Sequence, residues 1–499
     1  MYLTDLIHKS GLNNTVTFED NVERLEISGV ETDSRKICPG CLFIAVPGTR
    51  ADGLDYIPQA LKAGAVALML SSEADLSSLH IPDSIPVLQS PCIRKDAARI
   101  AASFYPHQAE TQVAVTGTNG KTSVVNFVRQ IWEMFDLNAG SLGTVGLHTQ
   151  SEFIPAALTT PDPVSLHKDI NRAVQNGLTH LALEASSHGL EQCRLDGLKI
   201  HAAGFTNLTH EHLDYHETYE NYRAAKGRLF NEILKDGGVA VLNADSKEFG
   251  FYKKLCDARD IKSFSYGYKG QDFKILERFP APSGQDIRLR VFGKDIDFFL
   301  PLVGEFQLMN VLCACALALQ GVPKAREHVE EVFQSLEHLK SVRGRLEKVP
   351  GHRAGAEIYV DYAHSPDALE TVLKTLRPHV AGRLVCVFGC GGDRDKRKRP
   401  MMGKIASELS DKVIVTDDNP RTEDPASIRA QIMHAAPEAK EIGSRRMAIE
   451  HALKDLKDGD VLLVAGKGHE QGQLIGDILH PFDDAEEIRK ALKKMEEAG

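Results

Sequence analysis

The sequence predicts an α/β chain of three domains around a central, doubly wound parallel sheet. Three observations carry this. At 499 residues the chain exceeds one ordinary core, given roughly 150 residues per domain. Short apolar runs recur, each ending in small or polar residues, as buried parallel strands do. One run opens into a glycine turn and a helix start, Gln112-Val-Ala-Val-Thr-Gly-Thr-Asn-Gly-Lys-Thr-Ser-Val-Val125.

That stretch organises the rest. A strand (Val113–Val115) leads into a turn at Gly117 and Gly120, and helical character follows over Val124–Phe135. Such a turn offers backbone N–H groups at the positive end of a helix, which suits a phosphate. Lys121 can reach terminal phosphates and the Thr122 hydroxyl can ligate Mg²⁺. The strict P-loop pattern asks for Gly where Val115 stands, so the motif is a near match.

Taken in order, residues 1–109 read as a small α/β unit. Cys41-Leu-Phe-Ile-Ala-Val46 is a strand, Tyr56–Ala63 a helix stopped by Gly64, and Ala65-Val-Ala-Leu-Met-Leu70 a buried strand. The polar stretch Val30–Arg35 reads as a loop. Cys38-Pro-Gly-Cys41 has redox or half-zinc spacing, but no second Cys pair follows, so a Pro-Gly turn is the better reading. Tyr105-Pro106-His107 reads as a linker.

Over residues 110–341 the strand signals recur at Leu181–Leu183, Ala202–Phe205 and Val239–Leu242. Over 342–499 the pattern restarts at Glu357–Val360, Leu384–Phe388, Val413–Val415 and Val461–Ala465, predicting a second doubly wound domain. Ligands of such sheets sit beyond the carboxyl ends of the strands, so the polar clusters there are the candidate sites.

Composition narrows the function. Hydrophobic residues make up 42% and charged residues 26%, ordinary for a globular chain. Against 59 Lys and Arg stand 69 Asp and Glu, a net charge of −10, which argues against general nucleic-acid binding. The first residues lack a signal-peptide core, and the apolar runs are too short to span a bilayer. Nine scattered Cys read as reduced thiols, and a cytoplasmic location is expected.

At the strand ends, Glu184 is placed to help hold Mg²⁺ near a P-loop, the alternative being a surface carboxylate. His212 lies in a run with His210, Glu211, Asp214 and His216, a ligand-rich stretch without a zinc signature. Lys226, in Tyr222-Arg-Ala-Ala-Lys-Gly-Arg-Leu-Phe230, reads by itself as a helix-surface lysine. The basic run Arg394–Arg399 is a solvated face or an anionic-substrate site. Arg421 sits on a strand-end turn, where it can grip a carboxylate or simply face water.

Together these clusters resemble the Mur ligase family over essentially the whole chain. The matching motifs are Thr116-Gly-Thr-Asn-Gly-Lys-Thr122, Glu184-Ala-Ser-Ser-His-Gly-Leu190, Thr206-Asn-Leu208 with His212-Leu-Asp214, Gly344-Arg-Leu-Glu347 and Asp361-Tyr-Ala-His364. Asp418-Asn-Pro-Arg421 and Gly466-Lys-Gly-His-Glu470 resemble the members that add meso-diaminopimelate as the third peptide residue.

The resemblance implies a UDP-substrate domain (1–109), a central ATP-binding domain (110–341) and a C-terminal Rossmann-like amino-acid domain (342–499). It implies that ATP phosphorylates the glutamate side chain of UDP-N-acetylmuramoyl-L-alanyl-D-glutamate, and that diaminopimelate then attacks the acyl phosphate. The implied ATP contacts are Gly117, Thr118, Asn119, Gly120, Lys121, Thr122 and Ser123, with Asn310, Arg345 and Asp361. Mg²⁺ is implied at Thr122, Glu184, His212 and a carbamylated Lys226, whose anionic oxygen would replace a repelled ammonium. Catalysis is thereby assigned to Lys121, Glu184, His212 and Lys226.

For the UDP-substrate the implied residues are Thr32, Ser34, Thr49, Arg50, Ala51, Thr159, Thr160, Ser186, Gln192 and Arg194. For diaminopimelate they are Arg394, Asp418, Asn419, Pro420, Arg421, Gly466 and Glu470. Arg421 would bind the far carboxylate, which lysine lacks. Two positions depart from the family pattern: Glu211 stands for Asp, and Gln307 for Asn. A monomer is expected. The rivals are a lysine-adding Mur ligase, a folylpolyglutamate synthase sharing the central motifs, and a nucleotide switch that hydrolyses ATP without forming a peptide bond.

Overall fold

The computed structural model describes residues 1–13, 24–48, 52–155, 158–209, 211–321, 327 and 329–497, with the backbone alone for 213 and 214. The expected substrate contacts Thr49, Arg50 and Ala51 lie outside the described residues, as does His210. The chain divides into two compact units, Met1–Gln271 with Cys313–Glu327, and Asp272–Leu312 with His328–Gly499.

In the first unit, four parallel strands form the N-terminal sheet in the order Gly29–Glu31, Cys41–Ile44, Ala65–Ser71 and Val87–Ser90. The helix Ile57–Ala63 ends at Gly64, whose φ of 104° suits only glycine without strain. Val30 and Glu31, expected in a loop, belong to a strand, because their backbone pairs with Leu42 and Phe43. Cys38 and Cys41 flank a turn closed by the Cys41 N–H donating to the Cys38 carbonyl at 3.2 Å, and both are free thiols.

The central sheet of this unit runs Lys262–Gly267, Leu234–Asn243, Ile200–Phe205, Thr111–Thr116, His180–Glu184 and Ala139–Gly143, all parallel. Two short antiparallel strands, Gly146–Thr149 and Phe153–Ile154, continue it. The organising stretch is strand Thr111–Thr116 followed by helix Lys121–Met134. Val124, Phe127, Val128 and Ile131 recur at helical spacing and are buried. Each such side chain contributes roughly 1.5–3 kcal/mol. The carboxyl ends of the strands at Thr116, Glu184 and Phe205 carry the polar clusters.

In the second unit, the sheet order is Glu347–Lys348, Glu357–Asp361, Val461–Ala465, Leu384–Phe388, Lys412–Val415 and Lys440–Glu441. The first pairing is antiparallel and the rest are parallel. The strand Val461–Ala465, late in the chain, inserts between Glu357–Asp361 and Leu384–Phe388. Its neighbours' carboxyl ends therefore converge on one edge of the sheet. This unit also holds three antiparallel strands that the periodicity left unseen, Phe273–Ala281, Gly284–Val291 and Lys294–Leu300.

Candidate functional site

In the first unit the glycine turn is tied down by the motif Thr206-Asn207. The Thr118 N–H donates to the Asn207 carbonyl at 2.8 Å, and the Asn119 N–H to Asn207 Oδ1 at 2.9 Å. Thr206 Oγ1 donates to the Asn119 carbonyl at 2.6 Å. Gly117 has φ 149°, and a Cβ there would lie 2.0 Å from Thr206 Oγ1. The turn is glycine because the neighbouring strand end presses against it. Lys121, in the first turn of its helix, donates Nζ to the carbonyls of Gly117 at 2.9 Å and Thr118 at 2.8 Å. Thr122 and Ser123 are buried beside it.

Lys226 is not a surface residue. Its side chain is 1% exposed and its Nζ donates to the Gly117 carbonyl at 2.8 Å. The ammonium also lies 4.6 Å from the centre of the Tyr222 ring, four residues earlier on the same helix face. Burial pushes its pKa well down, and Lys121 pushes it further. Tyr222, Ala225 and Gly227 of the same helix are buried with it, which a surface reading of one lysine misses. Two lysine side chains from distant stretches thus meet on one carbonyl of the glycine turn.

His212 joins this group through Tyr222. The His212 ring centre lies 6.1 Å from that of Tyr222 and 5.1 Å from that of His188. The Tyr222 hydroxyl in turn lies 3.1 Å from Thr118 Oγ1. His212 has φ 56°, a left-handed conformation costly for a non-glycine residue.

Glu184 ends its strand with a carboxylate 1% exposed. The Thr144 N–H donates to Oε1 at 2.8 Å, and Thr144 Oγ1 to Oε2 at 3.3 Å. Gly143 makes room, since a Cβ there would lie 2.0 Å from Oε1. Thr144 Oγ1 is also 3.0 Å from Thr159 Oγ1. Thr160 Oγ1 donates to the Glu184 carbonyl at 2.9 Å and accepts from the Ser186 N–H at 3.1 Å. Arg194 donates to the Thr160 carbonyl and to Gln192 Oε1, both at 2.6 Å. So Thr159, Thr160, Ser186, Gln192 and Arg194 form one network around Glu184. Ser34 is placed separately, its hydroxyl donating to Gln59 Oε1 at 3.1 Å, and Thr32 lies two residues before it.

The donor set fits Mg²⁺, which takes oxygen ligands, commonly one or two carboxylates with phosphate oxygens and water. Among the described residues no group of three His, Cys, Asp or Glu could hold a metal by itself. An ion held there would therefore draw ligands from phosphate oxygens and water as well as from protein groups.

In the second unit, Asn310 Nδ2 donates to Gln307 Oε1 at 3.1 Å, and Gln307 Nε2 to the Arg345 carbonyl at 3.4 Å. The longer side chain at 307 spans that gap. Arg345 stacks over the Tyr362 ring at 5.1 Å. Asp361 accepts from the N–H groups of Leu346 at 2.7 Å and Ala363 at 2.9 Å. Burial raises its pKa, while Arg345 and those N–H groups oppose the rise. Asn310, Arg345 and Asp361 are thus one connected set.

The remaining predicted residues gather beyond the strands Leu384–Phe388, Lys412–Val415 and Val461–Ala465. Arg421, at φ 52°, donates Nη1 to the Gly392 carbonyl at 2.7 Å. A Cβ on Gly391 would lie 2.8 Å from Arg421 Nη1 and 3.9 Å from Arg394 Cγ, so both arginines flank that glycine. Arg394 itself is exposed. Asn419 Nδ2 donates to Glu470 Oε2 at 2.9 Å. Gly466 has φ 116°, and a Cβ there would lie 3.9 Å from Asp418 Oδ2. Below them sits Lys467, fully buried, which sequence reasoning passed over although it lies inside the motif Gly466–Glu470.

Three family models match the chain: Mur ligase family, catalytic domain, over residues 26–109; Mur ligase middle domain over 115–318; and Mur ligase, glutamate ligase domain, over 344–468. A protein of Caulobacter vibrioides named UDP-N-acetylmuramoyl-L-alanyl-D-glutamate–2,6-diaminopimelate ligase is 49% identical, over 94% of this chain and 96% of its own. Its namesake in Bradyrhizobium diazoefficiens is 45% identical over 99% of both. A solved structure of a ligase of that name is 32% identical, with TM-score 0.72, covering 96% of this chain and 97% of its own. MurF ligase from Thermotoga maritima in complex with ADP shares the fold at 18% identity, with TM-score 0.60 over 95% of this chain and 99% of its own. With family models along most of its length and relatives this similar from end to end, the chain belongs to the Mur ligase family.

Proposed function

We propose that this chain is an ATP-dependent amide ligase of peptidoglycan precursor synthesis, joining meso-diaminopimelate to UDP-N-acetylmuramoyl-L-alanyl-D-glutamate. Relatives named for that reaction match nearly its whole length. The structural observation that carries the reading is the meeting of Lys121 and Lys226 on the Gly117 carbonyl.

The chemistry follows from charge. An oxygen of the substrate's glutamate side chain attacks the γ-phosphorus of ATP, and ADP leaves. The amine of diaminopimelate then attacks the acyl carbon, phosphate departs with the acyl oxygen, and the amine loses a proton. Both steps need negative charge balanced on the phosphoryl group. Lys121 and the N–H groups of Gly117–Ser123 are assigned this role, and Asn310, Arg345 and Asp361 of the second unit are assigned to the nucleotide on the family resemblance. Mg²⁺ would supply further neutralisation, and Thr122, Glu184, His212 and Lys226 would hold it. Lys226 is assigned a carbamate: burial lowers its pKa, which favours the neutral amine that adds carbon dioxide and releases a proton.

The UDP-substrate is assigned to Thr32, Ser34, the segment 49–51 and the network from Thr159 to Arg194. Diaminopimelate is assigned to Arg394, Asp418–Arg421, Gly466 and Glu470. The domains divide near residues 109 and 341. A nucleotide-linked substrate supports a cytoplasmic location, and the enzyme is proposed to act as a monomer. Among the described residues no helix is long and apolar enough to cross a membrane.

The test is phosphate release with ATP, Mg²⁺ and the UDP-muramoyl dipeptide, comparing meso-diaminopimelate with L-lysine. Release with a tripeptide product for diaminopimelate alone supports the reading. Product with lysine as well keeps the family and removes the specificity. Release that ignores the amine favours a nucleotide switch.

A further inference from the structure

Lys467 is 0% exposed, and a buried ammonium is costly unless acceptors surround it. Its Nζ donates to Asn419 Oδ1 at 2.8 Å and to the Gly472 carbonyl at 2.7 Å. It also lies 3.3 Å from Asp418 Oδ1 and 3.6 Å from Glu470 Oε2. Asp418 Oδ1 is buried and makes no hydrogen bond among the described residues, so its contact with Lys467 is an ion pair without one.

The contacts fix the orientation of one amide. Asn419 Oδ1 accepts from Lys467 and from the Leu474 N–H at 2.9 Å, which turns Nδ2 toward Glu470 Oε2. A hydrogen-bond relay therefore runs from Lys467 through Asn419 to Glu470. The main chain is held from the same side, with Gln473 Nε2 donating to the Asp418 carbonyl at 2.6 Å. The charges are unequal. Two carboxylates lie within ion-pair reach of one ammonium, so this inner set carries one net negative charge, which a substrate ammonium would balance.

We propose that Lys467 is a positioning residue for the amine substrate: a single buried ammonium sets the orientation of Asp418, Asn419 and Glu470 toward it. This rests on the functional reading above, which assigns those three residues to diaminopimelate but gives Lys467 no part. Lys467 does not touch the substrate. It satisfies the inner side of the cluster so that the outer side keeps one uncompensated negative charge. Without it the two carboxylates repel each other, and Asn419 Oδ1 loses one of the two donors that fix its amide.

The experiment measures KM for meso-diaminopimelate, ATP and the UDP-muramoyl dipeptide in the wild type and in Lys467→Met, with folding checked by circular dichroism. The expected result is a KM for diaminopimelate raised roughly tenfold or more, as for a buried charge pair losing one member, with the other two KM values unchanged. Combining Lys467→Met with Asn419→Ala should cost little more than the worse single change, because both break one relay. If Lys467→Met does not fold, Lys467→Gln, which keeps a donor for Asn419, should show a smaller rise of the same kind. An unchanged KM for diaminopimelate, an equal rise in all three values, or full additivity overturns the proposal. A wild type that does not use diaminopimelate overturns the functional reading instead, so the two failures are distinct.

Discussion

Replacing Arg421 by Ala tests the amine specificity most directly. Among the described residues both hydrogen bonds of the guanidinium come from Nη1, to the carbonyls of Gly392 at 2.7 Å and Asn419 at 3.5 Å. That leaves Nη2 and Nε for a bidentate carboxylate. The backbone at 421 is held independently, its N–H donating to the Leu474 carbonyl at 3.0 Å and its carbonyl accepting from the Gly476 N–H at 2.7 Å. Alanine should keep the turn. Hydrogen bonds to charged groups contribute about 1.5–3 kcal/mol each, so losing two at the lower value costs about 3 kcal/mol. That is about a hundredfold in kcat/KM. L-Lysine lacks the far carboxylate and loses nothing by the change. The ratio of kcat/KM for meso-diaminopimelate over L-lysine, followed by phosphate release and product identity, should fall about a hundredfold. An unchanged ratio in a folded variant would refute the role given to Arg421.

Three further predictions concern the first unit. Lys226→Met should lower turnover by roughly 10²–10³-fold without lowering the melting temperature at neutral pH. Its folded pKa is depressed, so below the unfolded value the unfolded state binds more protons and burial of the amine costs stability; methionine removes that cost, and near-normal turnover would count against the assignment. His167, 1% exposed, has its pKa pushed down by burial from 6.5 to about 4. Its contribution is present above pH 6.5 and is lost as pH falls toward 4, so denaturant unfolding should show about 3 kcal/mol of acid destabilisation that His167→Asn flattens. Gly117→Ala, with its Cβ 2.0 Å from Thr206 Oγ1, should weaken ADP binding by about tenfold or more in calorimetry.

Much of the fold was legible because parallel strands buried on both faces are continuous apolar runs. Leu384–Phe388 and Val461–Ala465 were read to the residue. The antiparallel strands Phe273–Ala281 and Lys294–Leu300 were not, because charges interrupt their exposed faces. Val30 and Glu31 were read as loop because hydrogen bonding to a partner strand leaves no mark on so short a run. The site divides the same way. Lys121 and Thr122 announce themselves beside glycines at a strand end, whereas Lys226 and Lys467 are single lysines whose burial depends on what packs over them.

The sequence by itself determined the long parallel strands, the glycine turn at Gly117–Gly120 and the polar clusters at the strand ends. These follow from side-chain periodicity and backbone freedom, which are local. Only the tertiary structure decided which distant residues share a point in space. Lys226 reaches the Gly117 carbonyl, Thr160 the Glu184 carbonyl, and Lys467 the Asn419 amide, across separations that no local pattern encodes. A lysine's charge is the same in any sequence, but whether water or a ring of carbonyls and carboxylates surrounds it is settled by packing, and that surrounding sets both its proton affinity and its use.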